Sequence, residues 1–443
     1  MRIGHFAPTI WSNGGIATYI RRLGAAQTVR GHDVWYLDRQ PRPSPNDAPP
    51  AAPCHARHII LHDDANLVEW AQTLRLDVLH LHKAPDVSAR DLAAGPVACV
   101  RTLHGHQASC PSATRFLSRH NTACNRTPNV PTCLWGHFAD GCGSRRPGRL
   151  VEAFRRFRHE QRLAARIPTM PVSAFLRASM IQAGCPPASL HVVPSPAPAV
   201  ATATPLPVER PPRVLFLGRI VPQKGVAWLL RALAQSIPSV HLDVAGDGRA
   251  LEDARALADR LGLAGRVTFH GWVDPGAVVH LIRQSWGVVV PSLWHEPAGL
   301  VTLEAAAHGR PVIASSVGGI PEYAHPDFSL LVPPNDTAAL ADALTALATA
   351  PDRAVQMGRS ARAHAQTTFA LRPFLDRVEA VYREAIQDAD ARNATRHDAA
   401  NRDAANRDAA RRDDPQRDAT RERPADRWQP NAEAPAPPAS HAS

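Results

Sequence analysis

Two cations and two carboxylates fall in this chain at spacings that suit a phosphorylated sugar. The segment "RVLFLGRIVPQKGVAWLLRALA" reads as a strand, a turn with Gly218 and Gly225, and a helix, so Arg219 and Lys224 share one strand-end loop. Fixed cations in such a loop can neutralise a diphosphate leaving group without a metal. Only Lys83 and Lys224 are lysines among 50 basic residues, which points to a particular use for Lys224. Later comes "SLWHEPAGLVTLEAAAHGRPVIASSVGGIPE" after a short apolar run. Glu296 lies in its loop, and a helical pattern from Gly299 leaves the amides of Gly299, Leu300 and Val301 free for a phosphate. Glu304 is two helical turns past Glu296, at most about 12 Å along an axis. One carboxylate could then stand at each end of a sugar nucleotide. Taken alone, the pair reads equally well as a first-turn acid and a solvated helix position. Gly14 and Gly15, in "APTIWSNGGIATYIRRL", permit close approach of backbone to phosphate or sugar, although they form neither a GxGxxG nor a P-loop pattern.

A second group is rich in thiols. Cys110, Cys124, Cys133 and Cys142 are separated by 13, 8 and 8 residues in a segment that also carries His106, His120 and His137. Structural zinc, two disulfides and free thiols all remain open, because no CxxC knuckle is present. Directly after it, "RRPGRLVEAFRRFRHEQRLAAR" holds eight arginines against Glu152 and Glu160. Leu150, Phe154, Phe157 and Gln161 fall three or four apart, giving an amphipathic helix suited to an anionic membrane or acidic acceptor, or simply to a solvated cationic face.

These groups need a scaffold. Apolar runs at Arg2–Phe6, Asp33–Leu37, Asp77–Leu81, Val97–Leu103, Met170–Ser173 and Leu190–Val193 alternate with helical patterns. A second series follows at Arg213–Leu217, His241–Ala245, Arg266–His270, Gly287–Pro291, Pro311–Ala314 and Ser329–Val332. Such alternation predicts α/β architecture with two parallel, doubly wound sheets, whose strand ends face a shared cleft. The Pro-rich stretch at Pro194–Pro212 reads as the connection. The expected boundaries are a first domain over 1–195 with a Cys-rich insertion at 106–145, a linker over 196–212 and a second domain over 213–370. A helix packing back on the body is expected over 371–390, then a low-complexity, disordered tail over 391–443.

The 443 residues suffice for two or three domains, and the 44% apolar content excludes wholesale disorder. No apolar run is long enough to span a membrane. The start "MRIGHFAP" reads at once as a strand, leaving no room for a leader, and seven cysteines fit no paired framework, so a cytoplasmic location is expected, peripheral to the inner membrane face at most. The net charge of +10 does not come from the tail, where ten arginines meet nine acids. Nucleic acid is a poor partner because aromatics are only 5% of the chain and no recognition motif is present.

Over roughly residues 1–385 the ordered set resembles the retaining glycosyltransferases of family 4, group 1 type, with the GT-B fold. It rests on the Gly14–Gly15 loop, "GRIVPQKGV", "VAGDGRALEDARALADRLGLAGRVTFHGWV", the Glu296/Glu304 pair and "SSVGGIPE". The resemblance implies that Arg219 and Lys224 bind the donor diphosphate with Gly218 beside them, and that Glu304 accepts from ribose hydroxyls. Glu296 would hold the transferred sugar, and Gly14 and Gly15 would close over the diphosphate. His104, in "RTLHGH", matches the family's histidine at the cleft floor. The implied partners are a UDP- or GDP-sugar donor and a glycan or lipid-linked acceptor, with no cofactor required for catalysis. The family often has an aromatic where this chain has Ala298, and an Asp where it has Gly105, which leaves the sugar and acceptor open. A nucleotide-sugar epimerase of the same fold, or a sugar-nucleotide-binding scaffold without turnover, are the competing readings.

Overall fold

The computed structural model describes residues 1–12, 14–40, 57–202, 204–208 and 211–412. Val- and Leu-rich runs form strands buried on both faces because helices cover each side. In chain order the strands of the first half are β1 (Arg2–Phe6), β2 (Asp33–Asp38), β3 (Arg57–Ile60), β4 (Val78–Leu81), β5 (Ala98–Leu103), β6 (Phe116–Leu117), β7 (Thr122–Ala123) and β8 (Thr169–Pro171). Those of the second half are β9 (Arg213–Leu217), β10 (His241–Ala245), β11 (Val267–Gly271), β12 (Gly287–Val290), β13 (Val312–Ser315) and β14 (Ser329–Val332). Six strands make a parallel sheet in the order β3-β2-β1-β4-β5-β8, and six more in the order β11-β10-β9-β12-β13-β14. The two orders are the same doubly wound pattern, so each sheet reverses beside its first strand and opens a crevice there. The two halves form one compact unit, Met1–Asp390. The expected GT-B arrangement of two Rossmann-like domains is therefore present.

Three expectations need correction. Leu190–Val193 is not a strand: it runs extended beside β8, with bonds from His191 N to Thr169 O and Val193 N to Pro171 O, and Pro194 ends it. The edge strand β3 was not anticipated, being four residues long with two polar side chains. Finally, the tail expected to be disordered from residue 391 continues the helix Leu371–Arg412, whose Ala- and Arg-rich repeat favours helix and contains no proline before Pro415. Residues 413–443 of that tail, like Cys54 and Asn13, lie outside the described residues.

Within the body, the same helix buries Phe374, Leu375, Val378, Val381, Tyr382 and Ala385 against Ile3, Ile20 and Val100 of the first half. The chain thus returns to finish the core it began. The Pro-rich connection has no regular structure but is pinned. Leu206 is buried in the second core, Arg310 donates to Thr204 O and Pro205 O, and Arg362 donates to Val200 O and Ala201 O.

Candidate functional site

The second half supplies the charged groups from two adjacent strand ends. After β9, Arg219 is exposed, and Lys224 closes a short turn ending in Gly225. Gly225 has φ +72, and a Cβ there would strike Pro291 O, so this turn sits against the end of β12 only because the residue is glycine. The contact brings Lys224 Nζ to 2.5 Å from Glu296 Oε1, which also accepts from Ser292 Oγ at 2.6 Å. Glu296 is 8% exposed. Burial alone would push its carboxyl up, but the Lys224 ammonium and these hydrogen bonds hold it below the ordinary value.

The Glu296 loop is clamped from behind by "SSVGGIPE". Gly318 has φ +64, and a Cβ there would come within 2.6 Å of Glu296 N, while Gly319 N donates to Glu296 O at 2.7 Å. Three residues on, the Glu322 carboxylate accepts from the amides of Ala174 and Phe175, both at 2.7 Å, capping the first-half helix Ala174–Gln182. One motif thus shapes the glutamate loop and ties it to the opposite domain.

Helix Leu300–Ala307 starts at Gly299, so its first amides face the cleft as expected. Across from it begins helix Gly15–Val29, where a Cβ on Gly15 would lie 3.6 Å from Leu300 Cδ1. A cleft of about 270 Å³ is lined by Gly15, His104, Arg219, Lys224, Glu296 and the Gly299–Val301 turn, drawing on both halves of the chain. Gly14 and Glu304 instead line an adjoining cleft of about 610 Å³ with Arg22, Trp272, Arg283 and His308. Burial raises the Glu304 carboxyl above its ordinary value, offset in part by Arg22. Gly218 has φ +143 and shapes the turn behind Arg219 without lining either cleft.

His104, at the end of β5, meets Tyr19 edge to face at 4.7 Å. Burial, with Lys83 and Arg101 nearby, lowers it to about 3, so it is a neutral imidazole at working pH. Behind it lies a chain of histidines that sequence reasoning missed. His104 Nε2 is 3.4 Å from His82 Nδ1, His82 Nε2 is 3.0 Å from His5 Nδ1, and His5 Nε2 bonds Gln27 Oε1 at 2.7 Å. His80 bonds Tyr382 Oη at 2.6 Å and Thr102 Oγ1 at 2.7 Å. The signal was available in period-two placement: His5 and His80 are register partners on β1 and β4, with His82 two residues further. Arg22 and Trp272 were also missed, although they lie inside the quoted stretches, because no spacing rule singles them out.

The four cysteines come together. Cys110, Cys124, Cys133 and Cys142 all line a cavity of about 30 Å³, shared with Arg115, Arg126 and His137, and none of them is in a disulfide. Burial and the neighbouring thiols push Cys142 up to about 12. The following helix, Pro147–Arg166, buries Ala153, Glu160, Leu163 and Ala164, whereas the expected stripe of Leu150, Phe154, Phe157 and Gln161 is only half-buried at its flank. Trp135 and Phe138, which precede it in the chain, and Val151 on it are 65%, 51% and 68% exposed. Among the described residues, no helix is long and apolar enough to cross a membrane.

With this geometry in view, two family profiles match the chain: Glycosyltransferase Family 4 over residues 13–198 and Glycosyl transferases group 1 over residues 203–364. A D-inositol 3-phosphate glycosyltransferase of Saccharomonospora viridis is 38% identical over 184 residues, which is 39% of this chain and 42% of that protein. The chain therefore spans less than half the length of that relative. An alpha-D-kanosaminyltransferase of Streptomyces kanamyceticus is 27% identical across 61% of this chain and 69% of its own. Among solved structures, sucrose-phosphate synthase from Thermosynechococcus elongatus superposes with a TM-score of 0.62 at 21% identity, covering 87% of this chain and 99% of its own. Anabaena HepE in complex with UDP-glucose gives 0.61 at 19% identity, covering 87% and 100%.

Proposed function

The chain belongs to the group 1 glycosyltransferases, family 4, and on that premise we propose that it moves a sugar from a nucleoside-diphosphate donor to an acceptor hydroxyl with retention at the anomeric carbon. The observation that carries this reading is the 270 Å³ cleft, where two cations, a paired carboxylate, a neutral histidine and a helix N-terminus converge from two domains. The donor diphosphate would lie on the Gly299–Val301 amides, with Arg219 and Lys224 taking up charge as it departs. Its ribose would meet Glu304, and its base would stack towards Trp272 in the adjoining cleft. Glu296 would then hold hydroxyls of the transferred sugar.

Retention would follow from attack on the face the diphosphate leaves, through an oxocarbenium-like state. The acceptor hydroxyl would lose its proton to the departing phosphate, because His104 is too weak a base to take it. Catalysis would come from orientation and leaving-group electrostatics, with Arg219 and Lys224 doing what a metal does elsewhere. The Glu322 cap and the pinned connection support a closed cleft that excludes water. A glycan or a lipid-linked sugar is the acceptor class we favour, in polysaccharide or glycolipid synthesis. A lipid-linked acceptor fits the exposed Trp135 and Phe138 just before the Arg-rich helix and the exposed Val151 on it, which would rest on an anionic membrane.

Calorimetry and thermal shift with UDP-, GDP- and ADP-sugars test the reading, since a complex of HepE with UDP-glucose makes a UDP-sugar the first donor to try. One donor class should stabilise the protein and be hydrolysed slowly without acceptor. Conversion of the donor to an epimer would favour the epimerase reading. Binding with neither hydrolysis nor transfer would leave a scaffold.

A further inference from the structure

The insertion between β5 and Pro147 contains a small hairpin, β6 to β7, and one short helical stretch, Val130–Trp135 continued by Gly136–Asp140, joined by loops. Its large apolar side chains are divided, with Phe116 buried and Trp135 and Phe138 exposed, so little apolar packing holds the part that carries Cys133 and Cys142. Four cysteines, Cys110 in a loop, Cys124 after β7, Cys133 on the short helix Val130–Trp135 and Cys142 just past residues Gly136–Asp140, nevertheless line one cavity of about 30 Å³, room for a single atom. His137 is 2% exposed and lines the same cavity, and its Nε2 has no hydrogen-bond partner. Arg115, whose Nη1 has no hydrogen-bond partner, stands at the cavity wall, where it would offset part of the excess negative charge of four thiolates on a dication, whereas Arg126 there is paired with Asp140.

We propose that Cys110, Cys124, Cys133 and Cys142 hold one thiophilic divalent cation, zinc by its chemistry, and that this ion staples the insertion onto the loop carrying Glu296. Tetrahedral thiolate ligation at about 2.3 Å sets sulfurs about 3.8 Å apart. Among the described residues no three of these thiols lie within 4.8 Å of one another, so binding the ion would require them to close in. The tighter cluster among the described residues is His5, His80 and His82, whose donor atoms lie within 4.8 Å of one another. Its ring nitrogens are already committed to Gln27, Thr102, Tyr382, His104 and each other, which leaves no lone pair for a metal.

The staple reaches the reaction cleft through short links. Arg115 donates to Cys124 O from Nε and a terminal nitrogen, at 3.3 and 3.2 Å. The next residue, Asn125, bonds His295 Nε2 through Oδ1 at 2.7 Å, and His106 Nε2 bonds His295 O at 2.6 Å. His295 precedes Glu296. Phe116 is buried among residues of the second core, so the hairpin is anchored across the cleft as well. The metal would thereby fix the register of a first-domain strap on a second-domain glutamate.

The test uses the full-length protein, purified without chelator, and its readouts do not include activity. Elemental analysis should find one zinc per chain, and a thiol reagent should reach the four cysteines only after a strong chelator is added. Replacing zinc by cobalt should produce a thiolate-to-metal charge-transfer band that Cys124→Ser and Cys142→Ser lose. Chelation of the wild-type protein should speed hydrogen exchange across residues 293–300, which needs no variant to fold. Peptide mapping that finds two Cys–Cys cross-links, or four reactive thiols with no metal, overturns the site. Zinc at one per chain with unchanged exchange at 293–300 overturns the stapling.

Discussion

Lys224 and Glu296 neutralise each other across 2.5 Å at the meeting of two strand-end loops, with Glu296 almost fully buried. Neither is dispensable to the other. Removing one partner of a buried pair leaves an uncompensated charge and costs about 3–5 kcal/mol. Lys224→Ala should therefore destabilise the protein as well as lower turnover by about 10²–10³-fold. Lys224→Met with Glu296→Gln should recover the thermal stability but not the turnover, in unfolding scans run beside a product assay. Because the folded Glu296 lies below its ordinary value, the pair's stabilisation is present above about pH 4.5 and fades as pH falls through the folded pKa.

Glu304 behaves in the opposite sense. Its carboxyl is raised by burial, so above that raised value the folded protein carries a penalised charge. Glu304→Gln should raise the unfolding temperature of the donor-free protein at pH 7, with the advantage vanishing as acid protonates the wild-type residue. The same variant should bind donor about tenfold or more weakly, measured by calorimetry, because the amide is a poorer acceptor for ribose hydroxyls. Equal donor affinity in both proteins would remove Glu304 from the site.

The histidine chain should write itself into the pH profile of stability. His5 is lowered to about 4 and His104 to about 3, with His80 and His82 well below their ordinary value, all chiefly through burial. Below about pH 6.5 the unfolded chain takes protons that the folded chain refuses, so stability falls from there down to the folded values. The slope is about 1.4 kcal/mol per pH unit for each such histidine. His82→Gln should flatten that slope. As a positioning residue, His82 should also change the His104 tautomer seen by nitrogen NMR and lower kcat about ten- to hundredfold with KM little changed. An unaltered tautomer would confine His82 to a packing role.

The exposed Trp135 and Phe138, with Val151 on the arginine-rich helix that follows, give a surface test. The protein should float with vesicles containing anionic lipid and not with neutral ones, and salt should weaken the association. Trp135→Ser with Phe138→Ser should reduce flotation without changing the unfolding temperature. Equal recovery on both vesicle types would discard the lipid surface.

Much of this was legible from residue types. Most strands of the two sheets follow from Val- and Leu-rich runs, β3 and β8 excepted, and Arg219, Lys224, Glu296 and the Gly299–Val301 turn converge as their positions after strands suggested. What hid from the sequence depends on approach between distant backbones. Nothing in "SSVGGIPE" announces that Gly318 must let another loop's backbone within contact, or that Glu322 caps a helix of the other domain. The histidine chain was obscured because each member sits in an ordinary apolar strand, and only pairing of β1 with β4 aligns them. The split of Gly14 and Glu304 into a neighbouring cleft reflects helix orientation, which spacing along the chain does not encode.

Tyr382 reaches back to bond His80 and Gln27, and its helix fills the floor beneath β1. A ribosome adding about 5–20 residues per second leaves roughly ten to forty seconds between the emergence of the first sheet and the arrival of that tyrosine. Throughout the interval Gln27 and His80 lack their phenol, and the apolar surface around Ile3 and Ile20 has no cover. The half of the molecule made first is the half completed last, which makes this interval the time when nascent chains on one messenger are most apt to pair with each other or to need a chaperone.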